Sequence, residues 1–178
     1  NHINTDTRAT SPTTGANQNI YSYGNYYTWP AAIADTTNYT TNNQSIENTS
    51  LCPTGWHLPK GGNNQNTANN EFLAFSEATI GAKPANYDSQ TYPYYTGTPE
   101  GTDASNKLRA YPNNFVYSGY VGSGSVYNRG SYGYYWSSTA FSSDLAYYLL
   151  FYSSRVYPGT NYSNKSIGMT VRCVAPGV

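Results

Sequence analysis

The sequence predicts an α+β domain in which two short helices precede an irregular antiparallel sheet. Helix signals occur only in the first part of the chain, and short aromatic strands separated by Gly, Ser and Asn fill the last third. The chain has 178 residues, the size of one ordinary domain, and 16% of them are aromatic, more than a disordered chain usually carries. We therefore expect a folded domain whose apolar area comes mainly from rings, including those of 21 tyrosines.

The charge balance excludes several classes of partner. Nine Lys and Arg residues balance nine Asp and Glu residues, and only 10% of the chain is charged. Such a chain lacks the basic surface that binds nucleic acid or an anionic membrane. No stretch approaches the roughly 18 to 20 apolar residues of a membrane span. We expect no nucleic-acid partner and no membrane insertion by this segment.

The first helix is expected after a polar lead-in. Residues 1–19 are rich in Thr and Asn and lack hydrophobic periodicity, which predicts a flexible linker, so the domain is expected to cover 20–178. Thr28 precedes the Ala-rich stretch 29–34, in which Pro30 occupies the first turn. Proline there loses no helical hydrogen bond, so this stretch predicts a short helix capped by Thr28.

The second helix is expected over 70–78. Asn70 can cap it, Glu71 suits the positive N-terminal end of a helix, and Phe72 and Phe75 share a face. The stretch 81–106 is rich in Gly, Pro, Thr and Tyr, and predicts a long irregular excursion.

Strands are expected in the last third of the chain. Aromatic and β-branched runs predict four of them, at 115–117, 134–139, 146–152 and 167–174. The run GSGS at 122–125 has no helix after it and predicts a turn.

Cys52 and Cys173 have neither the number nor the spacing of a metal cluster. They predict a disulfide, with two inert buried thiols as the alternative. A disulfide closing a loop of this length would stabilise the fold by roughly 4 to 5 kcal/mol in the chain-entropy account. It would also place the domain outside the cytosol.

Signals for catalysis are weak. Cys52 and His57 lie five residues apart, but a disulfide would remove the nucleophile. No zinc-protease, hydrolase or nucleotide-binding motif occurs, and the scattered carboxylates favour solvated loops over a metal site. We expect a protein that is not an enzyme and that uses no cofactor or metal.

The stretch 145–162 combines tyrosine with small polar residues. With a period of two, Tyr147, Leu149 and Phe151 fall on one strand face, while Tyr148 and its alternate neighbours fall on the other. A strand buried on both faces is one interpretation. The other is a binding surface, because Tyr among Ser, Gly, Asn and an occasional Arg is typical of antibody paratopes.

Three blocks carry a resemblance to a known family. CPTGWHLP at 52–59, YYWSST at 134–139 and GMTVRC at 168–173 resemble the Fibrobacter succinogenes major paralogous domain. The resemblance runs from about Tyr21 to Val174 and implies a C-type lectin-like fold, related to the formylglycine-generating enzyme fold, in a secreted or surface domain of bacteria with paired cysteines. The enzyme's C-terminal cysteine pair and the sugar-binding triplets of calcium-dependent lectins do not occur, so neither activity is implied.

The stretch 129–174 also resembles the variable region of proteins diversified by retroelements. The resemblance implies a fixed framework at Trp136, Ser137, Ser138, Ala146, Tyr147, Leu149, Phe151, Val156, Pro158, Gly168, Val171 and Cys173. It implies a varied, ligand-binding set at Phe141, Asp144, Leu145, Tyr148, Leu150, Tyr152, Arg155, Tyr157, Asn161, Tyr162 and Ser163.

From these observations we expect an extracellular or cell-surface domain for adhesion or recognition of a protein or glycan on another cell. Tyr148, Tyr152, Tyr157 and Tyr162 are the expected anchors, with Arg155 supplying a charge or stacking contact. The alternative is a structural, pilin-like or cell-envelope subunit that associates with copies of itself through the same rings.

Overall fold

A five-stranded antiparallel sheet lies between two hydrophobic clusters. The computed structural model describes residues 23–35, 49–62, 68–87 and 93–175, so the expected linker 1–19 lies outside the described residues. The α-helices are α1 (Trp29–Ala32), α2 (Glu71–Ile80) and α3 (Thr102–Arg109), and Gly97–Gly101 forms a kinked turn before α3 in which Thr98 is extended. The strands are β1 (Asn86–Tyr87), β2 (Pro93–Thr96), β3 (Tyr120–Gly122), β4 (Ser125–Tyr127), β5 (Tyr132–Ala140), β6 (Leu145–Tyr152) and β7 (Arg155–Asn164). The α+β prediction is confirmed.

The large sheet has the strand order β1-β2-β7-β6-β5, and β3 and β4 form a separate hairpin. One face of the sheet packs under α2 and α3, in a cluster that we call the helix-side core: Phe72, Ile80, Tyr95, Ala104, Leu108, Phe115, Tyr135, Leu149, Phe151 and Val156. The other face packs against α1 and the C-terminal segment, in a cluster that includes Trp29, Ile33, Leu58, Trp136 and Met169. Strand β6 therefore contributes to both clusters, because successive side chains along the strand point to opposite faces of the sheet.

The two predicted helices are present. Asn70 caps α2, because its side chain accepts a hydrogen bond from the Leu73 N–H, and Gly81 ends the helix in the left-handed conformation. Helix α1 begins after Thr28 with Pro30 in its first turn, but the Thr28 side chain makes no capping hydrogen bond. Trp29, Ala32 and Ile33 are completely buried, so packing holds this single turn in place.

The prediction of two helices and an irregular 81–106 stretch was wrong, because α3 begins at Thr102. Most of α3 is polar, and its buried apolar residues are only Ala104 and Leu108, four positions apart. That spacing places both on one face, which packs on the helix-side core. The Lys107 Nζ donates to the Ile80 carbonyl at 2.6 Å and so ties α3 to the end of α2.

Two of the four predicted strands do not form. At 115–117, a side chain takes the place of a partner strand: the Tyr135 hydroxyl accepts from the Val116 N–H at 2.9 Å and donates to the Val116 carbonyl at 3.1 Å. At 167–174, the backbone forms isolated bridges to four different segments, so no continuous ladder develops. The strands at 134–139 and 146–152 are confirmed within β5 and β6, and the predicted turn at 122–125 joins β3 to β4.

Strand β7 was missed because it contains Pro158-Gly159, a pair that usually marks a turn. In the structure these residues form a bulge within the β6–β7 ladder, between the pairs Tyr148–Asn161 and Leu150–Tyr157. The backbone carbonyls in the bulge accept hydrogen bonds from residues outside the sheet. The Pro158 carbonyl accepts from Asn70 Nδ2 at 2.9 Å, and the Gly159 carbonyl accepts from the Gly62 N–H at 2.8 Å.

The predicted disulfide between Cys52 and Cys173 is confirmed, and the alternative of two thiols is wrong. It joins segments separated by 121 residues and fastens the CPTGWHLP block to the C-terminal segment. The adjacent backbones of His57 and Val174 also exchange two hydrogen bonds, at 3.0 and 2.9 Å.

Candidate functional site: an aromatic face of the sheet

Six of the predicted ligand-binding residues share one face of β6 and β7. Tyr152 lies opposite Arg155, Leu150 opposite Tyr157, and Tyr148 opposite Asn161. Directly opposed residues of an antiparallel pair project to the same side. All six are partly buried.

Strand β5 extends this face with Tyr132 and Tyr134, which sequence reasoning did not assign to the site. Tyr132 lies opposite Tyr152, with ring centroids 4.8 Å apart. The Tyr134 and Tyr148 rings are 5.7 Å apart. The alternation of Tyr132, Tyr134 and Trp136 along one strand was the available signal, because a period of two places all three on one side.

On the other flank, β2 adds Tyr94 and Thr96. The Tyr94 ring stacks on the Tyr157 ring with centroids 5.2 Å apart. No local sequence signal assigns these residues to the site, since β2 joins the face only through its pairing with the distant β7.

Arg155 is held in a fixed position among these rings. Its Nε donates to Thr96 Oγ1 at 2.9 Å, and its Nη1 donates to the Tyr157 hydroxyl at 2.8 Å. The guanidinium carbon lies 5.5 Å from the Tyr94 ring centroid, within cation–π range. The hydrogen bond to Tyr157 raises the pKa of Arg155. This part of the face thus presents one oriented positive charge.

The β3–β4 hairpin closes the remaining side. Tyr120 and Tyr127 stack with centroids 5.2 Å apart, and Tyr120 meets the Tyr134 ring edge-on at 5.1 Å. We call the whole surface the aromatic face, defined by Tyr94, Thr96, Tyr120, Tyr127, Tyr132, Tyr134, Tyr148, Leu150, Tyr152, Arg155, Tyr157 and Asn161.

Tyr148 forms part of the floor of the aromatic face. Its ring meets Trp136 edge-on at 6.0 Å and packs against the cluster around α1. Burial raises the pKa of the Tyr148 hydroxyl, and the neighbouring Tyr134 and Tyr120 raise it further. Tyr152 is less enclosed: burial raises its pKa, whereas the charge of Arg155 opposes that shift. Tyr152 is therefore better placed than Tyr148 to contact a partner.

Two other predicted residues, Phe141 and Tyr162, lie apart from the aromatic face. Their rings stack in parallel, with centroids 4.0 Å apart. Tyr162 lies opposite Tyr147, on the reverse side of the ladder from Tyr148, and is 37% exposed. The structure therefore separates Tyr162 from the other three expected anchors.

The remaining predicted residues lie at the β5–β6 turn and the end of β7. Asp144 is exposed, and its carbonyl accepts from the Lys165 N–H at 2.9 Å. Leu145 lies opposite Asn164, and Ser163 lies opposite Ala146. Leu145 therefore lies on the side of the Phe141–Tyr162 stack, whereas Ser163 lies on the side of Tyr148, beyond Asn161.

His57 has a structural partner. Its Nε2 donates to Glu71 Oε1 at 2.9 Å, and Glu71 Oε2 accepts from the Lys60 N–H at 2.7 Å. Cys52 is oxidised in the disulfide, so the pair Cys52 and His57 does not form a nucleophile and base here.

Within the described ranges, no three His, Cys, Asp or Glu side chains group as metal ligands. None of the helices in that part of the chain is long and apolar enough to cross a membrane. Comparisons with protein-family models, with curated proteins and with solved structures found no match to this chain.

Proposed function

We propose that this domain binds a ligand outside the cell through the aromatic face, on a C-type lectin-like scaffold. The observation that carries the proposal is the extent of the face. Ring contacts join tyrosines of the β3–β4 hairpin, β5 and β6 in one series, and the Tyr94 and Tyr157 rings stack beside it. Arg155 connects the two groups, because it lies opposite Tyr152 and donates to the Tyr157 hydroxyl. Rigid tyrosines supply contact area at low entropic cost, and their hydroxyls can bond to polar partners, although Tyr134 itself is buried beneath the face. The disulfide supports an extracellular setting.

The character of the face favours recognition by shape and hydrogen bonds. Arg155 is the only charged residue of the aromatic face, and its guanidinium donates hydrogen bonds to Thr96 and Tyr157. A well-packed aromatic surface with a single arginine resembles the energetic centre of a binding interface, where Tyr and Arg dominate. The ligand class is a protein or a glycan on another cell.

Retroelement diversification is part of the proposal. It is supported by burial: none of the eleven expected varied residues is buried, whereas ten of the twelve expected framework residues are, with Val171 and Cys173 partly buried. Most of these side chains can therefore vary without unfolding the domain, whereas Tyr148 and Leu150 pack against the cluster around α1. The genomic test is a near-copy of the coding region for 129–174 beside a reverse transcriptase, differing mainly at adenines. A neighbourhood without that copy would remove diversification from the proposal.

The binding test uses Tyr152→Ser combined with Tyr157→Ser. Purified domain is applied to a printed glycan array, to an array of extracellular protein domains, and to intact bacterial cells. We expect the double variant to lose at least about tenfold in affinity for whatever probe the native domain retains, because truncating hot-spot tyrosines costs about 2 kcal/mol or more. The array that responds identifies the ligand class.

Tyr111→Ser is the matched control, because Tyr111 is 88% exposed and lies outside the aromatic face. Tyr162→Ser tests whether the Phe141–Tyr162 stack belongs to the site, and we expect it to retain binding. Equal binding by the native domain and the double variant would overturn the aromatic face as the site.

The alternative function is that of a structural envelope subunit, which associates with copies of itself through the aromatic face. Sedimentation of the native domain from about 1 μM to about 1 mM distinguishes the two. We expect a monomer throughout. Assembly that the double variant abolishes, without binding to any probe, would instead establish the structural role.

A further inference from the structure

A cavity of about 210 Å³ lies on the opposite side of the sheet from the aromatic face. It forms where the CPTGWHLP block, α2 and the C-terminal segment meet beside the disulfide, and its lining includes Trp56, Phe72, Phe75, Phe115 and Arg172. Phe115 places it on the helix side, because this ring packs edge-on against Tyr135 at 4.8 Å and belongs to the helix-side core. None of the residues of the aromatic face lines the cavity.

The walls of the cavity are suited to an aromatic ring. Phe72 and Phe115 are nearly completely buried, and the Phe75 ring lies 5.6 Å from the Phe115 ring at a tilt of 49°. An apolar protein cavity of about 150 Å³ is large enough to bind benzene. The cavity here therefore has room for a benzene ring and a short chain attached to it.

One cation borders these walls. The Arg172 guanidinium lies 5.2 Å from the Phe115 ring centroid, and its Nη2 donates to the Asn113 carbonyl at 2.7 Å. Among the described residues this is the one hydrogen bond of Arg172, and no carboxylate of those residues forms an ion pair with it. A guanidinium has five N–H donors and a geometry that matches a carboxylate. Within the described part of the chain, no carboxylate neutralises Arg172, which presents its positive charge at the edge of an apolar cavity.

We propose that this cavity binds a small aromatic monocarboxylate, with the ring between Phe72, Phe75 and Phe115 and the carboxylate on Arg172. An anionic head satisfies the guanidinium, and an apolar body fills the space between the rings. A neutral hydrocarbon would leave the charge unpaired, and a polar anion without a ring would leave the cavity empty. This site is independent of the function proposed for the aromatic face.

The test is a calorimetric titration of the oxidised domain with 3-phenylpropionate, alongside its neutral amide and propionate. We expect 3-phenylpropionate to bind with a dissociation constant of about 1 mM or below, a range open to a ligand of this size. The amide should bind about tenfold to a hundredfold more weakly, because it lacks the charge-assisted hydrogen bonds to Arg172. Propionate should not bind.

Trp56 provides a second measurement. It lines the cavity and is 51% exposed, whereas Trp29 and Trp136 are completely buried. Binding of 3-phenylpropionate should therefore change the tryptophan fluorescence of the native domain, and Trp56→Phe should abolish that change while the calorimetric signal persists.

Two variants test the charge and the volume of the cavity separately. Arg172→Gln removes the charge and should weaken 3-phenylpropionate binding to the level of the amide. Phe75→Trp keeps Arg172 but fills the cavity, and should abolish binding of both probes. Arg109→Gln is the matched control for charge, since Arg109 stacks on Tyr117 outside the cavity lining and should leave binding unchanged. Thermal melting checks that each variant is folded.

The Tyr152→Ser, Tyr157→Ser double variant should bind 3-phenylpropionate as the native domain does, so failure of one site is distinguishable from failure of the other. Equal affinity for the acid and the amide, unchanged binding by folded Phe75→Trp, or no binding at about 10 mM probe would each overturn the proposal.

Discussion

At the scale of single residues, Asn70 connects three segments of the chain. It is completely buried, and its Oδ1 accepts from the Leu73 N–H at 3.0 Å. Its Nδ2 donates to the carbonyls of Gly62 and Pro158, at 3.0 and 2.9 Å. One amide therefore caps α2 and also holds the loop before it and the bulge of β7.

The substitution Asn70→Asp tests the two hydrogen bonds that Asn70 donates separately from its capping of α2. The aspartate keeps the capping acceptor, and its charge suits a helix N-terminus, but it removes both donors. We expect the free energy of unfolding at neutral pH to fall by about 2 to 4 kcal/mol, because two buried carbonyls lose their partner and face a carboxylate. Urea unfolding measures the change.

The adjacent Asn69 is exposed, so Asn69→Asp is the matched control and should change stability by less than about 0.5 kcal/mol. If Asn70→Asp is as stable as Asn69→Asp, the two hydrogen bonds that Asn70 donates do not stabilise the fold, and its structural role is the capping of α2 alone.

The capping role of Asn70 was predicted from the sequence, because a cap acts on a neighbour three positions away. Its bond to Pro158 was not predictable, since it depends on a contact across 88 residues. The same holds for Tyr162. Its residue type marks it as an anchor, but its side of the sheet depends on the pairing of β6 with β7 and was not evident locally.

At the scale of secondary structure, Gly133 explains how β5 passes beneath Phe151. The two residues lie directly opposite in the β5–β6 ladder. A Cβ added to Gly133 would lie 2.1 Å from Phe151 Cε1, so the ring occupies the space of the missing side chain. Glycine within a strand often marks a close approach of this kind.

Gly133→Ala should therefore lower the free energy of unfolding by about 1 to 3 kcal/mol, the range typical of overpacked cores. Gly122→Ala in β3 is the comparison, because its Cβ would meet first the Tyr120 ring, at 3.3 Å, on the partly exposed hairpin. We expect a smaller loss there, measured by urea unfolding. Equal losses at the two sites would contradict the role of Phe151.

Elements whose signals are local were predicted, and elements that depend on distant partners were not. Helix α2 has the capping residues Asn70 and Gly81, and strand β6 has a period of two. Helix α3 has only Ala104 and Leu108 to indicate its buried face, and β7 contains a Pro-Gly pair whose carbonyls bond outside the sheet. In these two cases tertiary contacts override the local preference.

At the scale of the whole molecule, the aromatic face assembles from strands that are far apart in sequence. Its β6 and β7 part was predicted, because both strands lie within one tyrosine-rich stretch. Tyr94, Tyr120 and Tyr132 join it only through the sheet order and the position of the hairpin. The cavity beside Arg172 was not predicted either, since it needs the disulfide, α2 and the Phe115 segment together.

The many enclosed tyrosines predict a loss of stability at alkaline pH. Burial is the largest cause of a raised pKa for Tyr95, Tyr134, Tyr135, Tyr148 and Tyr152. In the unfolded chain a tyrosine releases its proton near pH 10, whereas the folded domain retains these protons to higher pH. The unfolded state then binds fewer protons than the folded state, so the free energy of unfolding decreases as pH rises.

Lys165 has the opposite effect in the same range. Burial lowers its pKa, so the folded domain releases this proton before the unfolded chain does. One lysine opposes five tyrosines, and we expect the net free energy of unfolding to be nearly constant up to about pH 9 and to decrease above about pH 10. Urea unfolding from about pH 8 to about pH 11, with phenolate absorbance recorded in parallel, measures both the stability and the ionisation.

Tyr148→Phe identifies the source of the decrease. It keeps the ring against Trp136 and Tyr134 and removes one ionisable hydroxyl, so the decline above pH 10 should become shallower. Tyr111→Phe is the control, because Tyr111 is 88% exposed and its replacement should leave the decline as in the native domain. A free energy of unfolding that stays constant to about pH 11, or a decline that Tyr148→Phe and Tyr111→Phe alter equally, would show that the enclosed tyrosines do not govern alkaline stability.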